Sequence, residues 1–188
     1  MPTHSNLLSA NNSLLIVVDL QTKLSAAMPV SEAKRMTANT GRLVKAAGIL
    51  SIPVLLTEQY PKGLGATAPA IAELLPEGTP IFDKTGFSCC AANDFNSSLN
   101  ATQRRQIILT GQEAHVCVLQ SALELLHDGF QVHVVEDAVS SRKPDHKCSA
   151  LQRMQQQGVT ITNHESVLFE WLKDASHPDF KTISALLR

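Results

Sequence analysis

Residues 106–122 read QIILTGQEAHVCVLQSA, and this stretch decides the expected fold. An apolar run at 106–110 is followed by a short polar loop and by an amphipathic segment that ends near His127. A strand, a tight loop and a helix fit these three parts. Cys117 then lies in the first turn of the helix, where the helix dipole and unpaired N–H groups favour a thiolate. The pattern therefore indicates a nucleophile at Cys117, although a buried structural cysteine is the common alternative.

Other short apolar runs along the chain also predict strands, and segments of helical spacing separate them. Because the runs are apolar without alternation, they are typical of strands buried on both faces of a parallel sheet. We therefore expect an α/β fold with helices on both faces of the sheet. The predicted strands are 13–18, 53–57, 80–83, 106–110, 131–135 and 159–162, and the predicted helices are 32–49, 68–75, 92–101, the segment from 116, 145–157, 164–173 and 179–187.

The size and charge of the chain narrow its class. Its 188 residues suit one domain, 1–188, with a polar and loosely held arm at 1–12. A formal net charge of −1 without a basic stripe argues against a nucleic-acid or membrane partner. We find no signal peptide and no apolar run long enough to span a bilayer. The four cysteines lack metal-ligand spacing, so we expect reduced thiols in a cytoplasmic protein.

Charged residues follow the predicted strands, where ligands bind in open α/β sheets. We expect Asp19, Lys84 and Cys117 to meet in one cleft at these strand ends. Asp19 would accept the thiol proton, and Lys84 would stabilise both anions. Gln21 would help to line the pocket. A turn-capping Asp19 and a solvated Lys84 are the alternatives; Glu58 and Asp137 are also placed at strand ends.

Histidines and glycines give little support for a metal or a cofactor. The seven histidines do not pair at recognised ligand spacings, and the chain has no glycine-rich phosphate loop. We therefore expect no metal and no cofactor. His115 lies two residues before Cys117, so a Cys–His dyad stays open.

Three motifs together resemble the isochorismatase-like (cysteine) hydrolase superfamily. They are LIVVDLQ around Asp19, FDKTGFSC around Lys84 and GQEAHVCVLQSA around Cys117. The resemblance extends over residues 12–172. Residues 57–65 and 167–172 further resemble the subgroup of isochorismatase domain-containing proteins.

This resemblance implies a Rossmann-like, three-layer αβα fold with six parallel strands in the order 3-2-1-4-5-6. It implies a catalytic triad of a Cys nucleophile, an Asp base and a Lys partner, carried here by Cys117, Asp19 and Lys84. It also implies a cis peptide at Gln112–Glu113, which would bring the N–H groups of Glu113 and Cys117 together as an oxyanion hole. Members of the superfamily assemble, so we expect a homodimer or larger homo-oligomer, with candidate contact residues Leu168, Phe169 and Trp171.

The function expected from these observations is metal-independent cysteine hydrolysis of a small molecule. The substrate would be an amide-like C–N compound or an ester, and the reaction would pass through a thioester. Nicotinamidases of the superfamily carry metal-ligating His residues after the second strand, and 58–65 has none. A non-catalytic scaffold, or a thiol redox protein using Cys117 with Cys89 or Cys90, are the alternatives. The expected pocket residues are Gln21, Tyr60, Phe87 and Ala114.

Overall fold

The computed structural model describes residues 6–188, and a six-stranded sheet forms its centre. All five strand pairings are parallel, in the order β3-β2-β1-β4-β5-β6. The expected α/β fold and strand order are thus confirmed. The strands are β1 (Ser13–Val18), β2 (Val54–Gln59), β3 (Ile81–Lys84), β4 (Gln106–Gln112), β5 (Gln131–Ser140) and β6 (Thr160–Thr162).

Strand β1 lies in the middle of the sheet and has no solvent-facing side. Leu14, Ile16 and Val18 pack into one core cluster, whereas Leu15 and Val17 pack into the other. All of these side chains are fully buried. Since burial of one such side chain contributes about 1.5–3 kcal/mol, the uninterrupted apolar run is what holds the central strand in place.

Helices cover both faces of the sheet and form the outer layers. The first cluster contains α5 (Phe95–Ala101), α6 (Leu119–His127) and α7 (Pro144–Gln156). The second contains α2 (Val30–Ile49), α4 (Pro69–Ala72), α8 (His164–Leu172) and α9 (Phe180–Ala185). The short helices α1 (Thr22–Ser25) and α3 (Pro61–Leu64) lie in the connections at the carboxyl ends of β1 and β2.

Two elements differ from the sequence prediction near the expected site. The helix expected from 116 begins with a π-helical turn, Ala114–Val118, and α6 starts only at Leu119. Strand β5 continues to Ser140, because Val139 and Ser140 pair with Gly111 and Gln112 beyond a register shift in β4.

Asp137 therefore lies inside β5 and not at its end. Its carboxylate accepts hydrogen bonds from the backbone N–H of His164, at 2.9 Å, and contacts the imidazole Nδ1 of His164 at 2.6 Å. Asp137 thus anchors the start of α8. The prediction that Asp137 lies at the end of a strand is therefore wrong.

The expectation of a loosely held arm at 1–12 is also wrong for the described part of that segment. Residues 1–5 lie outside the described residues. The side chain of Leu8 is buried in the core, and its N–H donates to the Glu170 carboxylate at 2.7 Å. The N–H of Ser9 donates to the Gln106 side-chain oxygen at 2.8 Å. The two side chains therefore satisfy the backbone of this segment and fix it against the sheet.

Two of the expected contact residues for assembly are internal. Leu168 and Trp171 are buried in the core, and the indole N–H of Trp171 donates to Ser13 Oγ at 2.9 Å. Only Phe169 of the three is exposed. Within the described part of the chain, every helix is too short or too polar to cross a membrane.

Candidate active site

The carboxyl ends of three strands bring Asp19, Lys84 and Cys117 to one edge of the sheet. Asp19 directly follows β1 and has a left-handed backbone, with φ of 48°. Lys84 is the last residue of β3, and Cys117 lies in the π turn after β4. Lys84 Nζ donates to Asp19 Oδ2 at 2.6 Å, and both side chains are fully buried. Because an unpaired buried charge is costly, this ion pair must be closely matched to persist.

Neighbouring groups satisfy both members of the ion pair. Thr57 Oγ1 donates to the second carboxylate oxygen of Asp19 at 2.7 Å. Lys84 Nζ also donates to Gln59 Oε1 at 2.7 Å and to the carbonyl of Phe87 at 2.9 Å. The protein therefore supplies the hydrogen bonds that water would otherwise make to these charges.

Thr57 and Gln59 are functional candidates that sequence reasoning missed. Both lie in the carboxyl half of β2, which runs between β1 and β3 in the sheet, so their side chains reach Asp19 and Lys84 from the intervening strand. The available signal was a polar carboxyl end on an otherwise apolar strand. Glu58, between them, instead accepts from the N–H and Oγ1 of Thr67 at 2.6 Å each.

The charges of Asp19 and Lys84 both act on the pKa of the Cys117 thiol. Its Sγ is 3.9 Å from Gln59 Oε1 and the residue is 5% exposed. Burial, followed by the negative charge of Asp19, raises the pKa of Cys117 to about 12, and Lys84 acts in the opposite direction. The raised pKa favours the thiol at rest, against the thiolate expected from the helix dipole. Desolvation outweighs the dipole because the thiol is enclosed.

Glu113 precedes the π turn, and its buried carboxylate has a cationic partner. The Gln112–Glu113 peptide bond is cis. Arg142 Nη2 donates to Glu113 Oε1 at 2.6 Å, and Arg142 Nε donates to Oε1 at 2.9 Å and to Oε2 at 3.2 Å. Hydrogen bonding to Glu113 raises the pKa of Arg142.

His115 joins the same group of side chains. Its Nδ1 is 3.0 Å from Ser141 Oγ and 3.4 Å from Glu113 Oε2, and its ring centroid is 4.8 Å from that of His146. Burial lowers the pKa of His115, and the charge of Glu113 opposes this shift. These contacts connect His115 to the segment after β5.

The four expected pocket residues have different surroundings. Tyr60 and Phe87 are 53% and 52% exposed. Ala114 is buried in the core, and the Gln21 amide accepts from Gln59 N–H at 2.8 Å while donating to Gln59 and Gly65 carbonyls. Gln21 thus holds the chain after β2. Tyr60 also lines a cavity of about 380 Å3 with Pro61, Lys62, Asp83, Lys84, Thr85, Ala91 and Asn93.

Residues 6–188, which the structure describes, hold no cluster of metal-binding side chains. Within that range, no three side chains of the types His, Cys, Asp and Glu converge as metal ligands would. The arrangement at the carboxyl ends of β1, β3 and β4 offers an acid–base group, a cation and a thiol. Such a set can transfer a proton and attack an electrophilic carbon.

Comparison with known proteins adds a family and a fold. The Isochorismatase domain model matches residues 13–166. Isochorismatase domain-containing protein 2 of Danio rerio is 41% identical over 180 residues, covering 96% of this chain and 89% of the relative. The MAR1 ribonuclease of Caenorhabditis elegans has a TM-score of 0.91 and 42% identity, covering 96% of this chain and 92% of that one.

A more distant structure is the YcaC gene product of Escherichia coli, described as an octameric hydrolase of unknown specificity. It has a TM-score of 0.85 and 26% identity, and the match covers 95% of each chain. In both structures the match extends over nearly the whole of this chain.

Proposed function

Because this chain belongs to the isochorismatase family, whose members are hydrolases, we propose that it hydrolyses a small amide-like C–N compound or an ester through Cys117. One observation carries the proposal. The buried ion pair between Lys84 and Asp19 lies beside a buried thiol, and it places a proton acceptor and a cation at a potential nucleophile. Burying a charge pair costs desolvation free energy, and ionisable groups buried together are candidates for a functional site.

The proposed first step forms a thioester. The Cys117 sulfur attacks the substrate carbonyl carbon while its proton passes to Asp19. Transfer accompanies attack because the raised pKa, about 12, leaves very little thiolate at neutral pH. The tetrahedral intermediate then expels the amine or alcohol, which takes the proton from Asp19. In the second step, Asp19 removes a proton from water, which hydrolyses the thioester and releases the acid and the thiol.

Lys84 and two backbone groups stabilise the charges that develop. The ammonium of Lys84 lies at 2.6 Å from the Asp19 carboxylate and offsets its charge during proton transfer. We assign the oxyanion to the N–H groups of Glu113 and Cys117, each donor contributing about 3 kcal/mol. No metal or cofactor takes part in the proposed reaction.

The substrate pocket is assigned to the exposed aromatic residues near the ion pair. Tyr60 lines the cavity of about 380 Å3 together with Lys84. Phe87, three residues after Lys84, is exposed. We also assign Gln21 and Ala114 to the pocket, although neither lines this cavity. We propose a small molecule and not a nucleic acid, because the net charge is −1. Because the C. elegans neighbour is named a ribonuclease, the substrate panel must also contain RNA.

The test is a substrate screen with a matched pair of cysteine variants. Cys117→Ala should lose turnover by at least about a thousandfold, because it removes the nucleophile. Cys148→Ala removes an exposed cysteine and should keep wild-type turnover. The panel contains amides, ureido acids, small esters and a short RNA, and melting temperatures check that both variants fold.

Full turnover by Cys117→Ala would overturn the proposal. The burial of Cys117 is the observation that favours a non-catalytic homologue. If the wild-type protein turns over no compound of the panel, that alternative is supported. A thiol redox protein would instead form a Cys117 disulfide with Cys89 or Cys90 under mild oxidant, seen by mass spectrometry.

We further propose a cytoplasmic homo-oligomer. The four cysteines are free, as expected in a reducing compartment, and the E. coli YcaC neighbour is octameric. Multi-angle light scattering should give a mass of at least twice the 20.3 kDa of one chain. A mass of 20.3 kDa across a concentration series would contradict this prediction.

A further inference from the structure

The carboxylate of Glu113 is buried beside the turn that carries Cys117, and Arg142 covers it. Oε1 accepts from the guanidinium Nη2 at 2.6 Å and from Nε at 2.9 Å, and Nε also reaches Oε2 at 3.2 Å. Several charge-assisted hydrogen bonds from one planar group fix orientation as well as charge. We call this pair the Glu113–Arg142 clamp.

The clamp acts on the backbone on either side of the thiol. Glu113 lies at the start of the π turn, and its carbonyl accepts from the N–H groups of Val116 and Val118 at 3.0 and 3.2 Å. Cys117 lies between these two donors. Whatever fixes Glu113 therefore fixes the path of the chain at Cys117.

Arg142 lies just beyond β5, so the clamp joins the ends of two neighbouring strands. A second contact runs in parallel, between His115 Nδ1 of the π turn and Ser141 Oγ, at 3.0 Å. Asp19 and Lys84 come instead from β1 and β3, on the other side of β4 in the sheet. The distance from Cys117 to Asp19 thus depends on how the π turn is tied to the chain after β5.

We propose that the side chains of Glu113 and Arg142 are positioning residues that hold the π turn so that Cys117 faces Asp19 and Lys84. The proposal rests on the proposed function, since it assigns Cys117 as the group to be positioned. It assigns to the Glu113 carboxylate a task separate from that of its backbone N–H.

The test uses steady-state kinetics on the best substrate of the panel. Arg142→Gln should lower kcat on the order of 10- to 100-fold, because a small misplacement of a reacting group is costly. KM should stay within about threefold, since Arg142 does not bind substrate in this scheme. Arg142→Lys should recover part of the loss, because it keeps the charge but has one nitrogen in place of the two that contact Glu113.

A double-mutant cycle and a matched control complete the design. Glu113→Gln combined with Arg142→Gln should be no slower than the slower single variant, because the pair acts as a unit. Arg35→Gln breaks a more exposed pair of the same length, 2.6 Å, with Glu32 on α2, and should keep the wild-type kcat. Hydrogen exchange should rise in residues 113–118 of Arg142→Gln and stay unchanged in residues 30–39.

Three results would overturn the clamp. They are a wild-type kcat in Arg142→Gln, a raised KM with unchanged kcat, which indicates substrate binding, and unchanged exchange at 113–118. The Cys117→Ala assay reports on the proposed function separately. If Cys117→Ala keeps full turnover, the proposed function fails, and the exchange measurement alone then decides whether the clamp fixes the turn.

Discussion

The side-chain oxygen of Gln59 connects the cation of the candidate site to its thiol. It accepts from Lys84 Nζ at 2.7 Å and lies 3.9 Å from Cys117 Sγ, while the amide nitrogen donates to the carbonyl of Thr85 at 2.8 Å. The amide is therefore held at one end and directed to Lys84 at the other. We infer that Gln59 fixes the ammonium between the carboxylate and the thiol.

We predict that Gln59→Ala lowers turnover by about 10- to 100-fold, since a hydrogen bond to a charged group contributes about 1.5–3 kcal/mol. The measurement is kcat on the best substrate of the screen. Gln152→Ala, on the exposed side of α7, is the control and should retain the wild-type rate. Unchanged kcat in Gln59→Ala would show that Lys84 needs no help from this amide.

At the scale of elements, the close approach of β1 and β4 sets where the chain leaves the sheet towards the π turn that carries Cys117. Gly111 pairs with Val18 in register, and its φ is 106°. A Cβ at this position would overlap the carbonyl oxygen of Val18. The glycine therefore lets β4 shift its register against β5 and turn towards Cys117 without a clash.

We predict that Gly111→Ala lowers the free energy of unfolding by more than about 3 kcal/mol, from backbone strain and overlap together. Gly129→Ala is the matched control, because its φ is also positive, at 82°, but the nearest atom to its Cβ would be 3.6 Å away, on Arg105. It should cost about 1–2 kcal/mol. Equal losses in urea unfolding would mean that the overlap with β1 is relieved by a small shift.

At the scale of the whole molecule, one core side chain makes stability depend on pH. His133 is buried in β5, and its Nε2 has no hydrogen-bond partner. Burial lowers the pKa of His133 from 6.5 to about 4. Folding thus favours the neutral ring, so this contribution to stability is fully present above pH 6.5 and is lost as the pH falls towards 4.

We predict that His133 alone removes about 3 kcal/mol of unfolding free energy between these pH values. His133→Leu should flatten the decline in stability between pH 6.5 and pH 4. His127→Leu, at an exposed position on α6, should leave the slope unchanged. Urea unfolding at intervals across this range measures both. Parallel pH profiles for wild type and His133→Leu would contradict the assignment to His133.

The residues that pack the sheet could be identified from the sequence, and so could its class. The run at 13–18 has no polar interruption, and such a segment is stable only when both faces are covered. The motifs around Asp19, Lys84 and Cys117 further indicated the strand order through their family resemblance. This part was predictable because burial and local propensity depend on residues that are adjacent in the chain.

Only the tertiary structure decided which groups surround the thiol and whether it is charged. Gln59 and Thr57 reach the site because β2 lies between β1 and β3, and Arg142 meets Glu113 because β5 extends beyond its apolar run. The sequence determined a parallel sheet with ionisable groups at its carboxyl edge. Hydrogen-bond partners and pKa values came from the fold, because they depend on distances and desolvation between segments far apart in the chain.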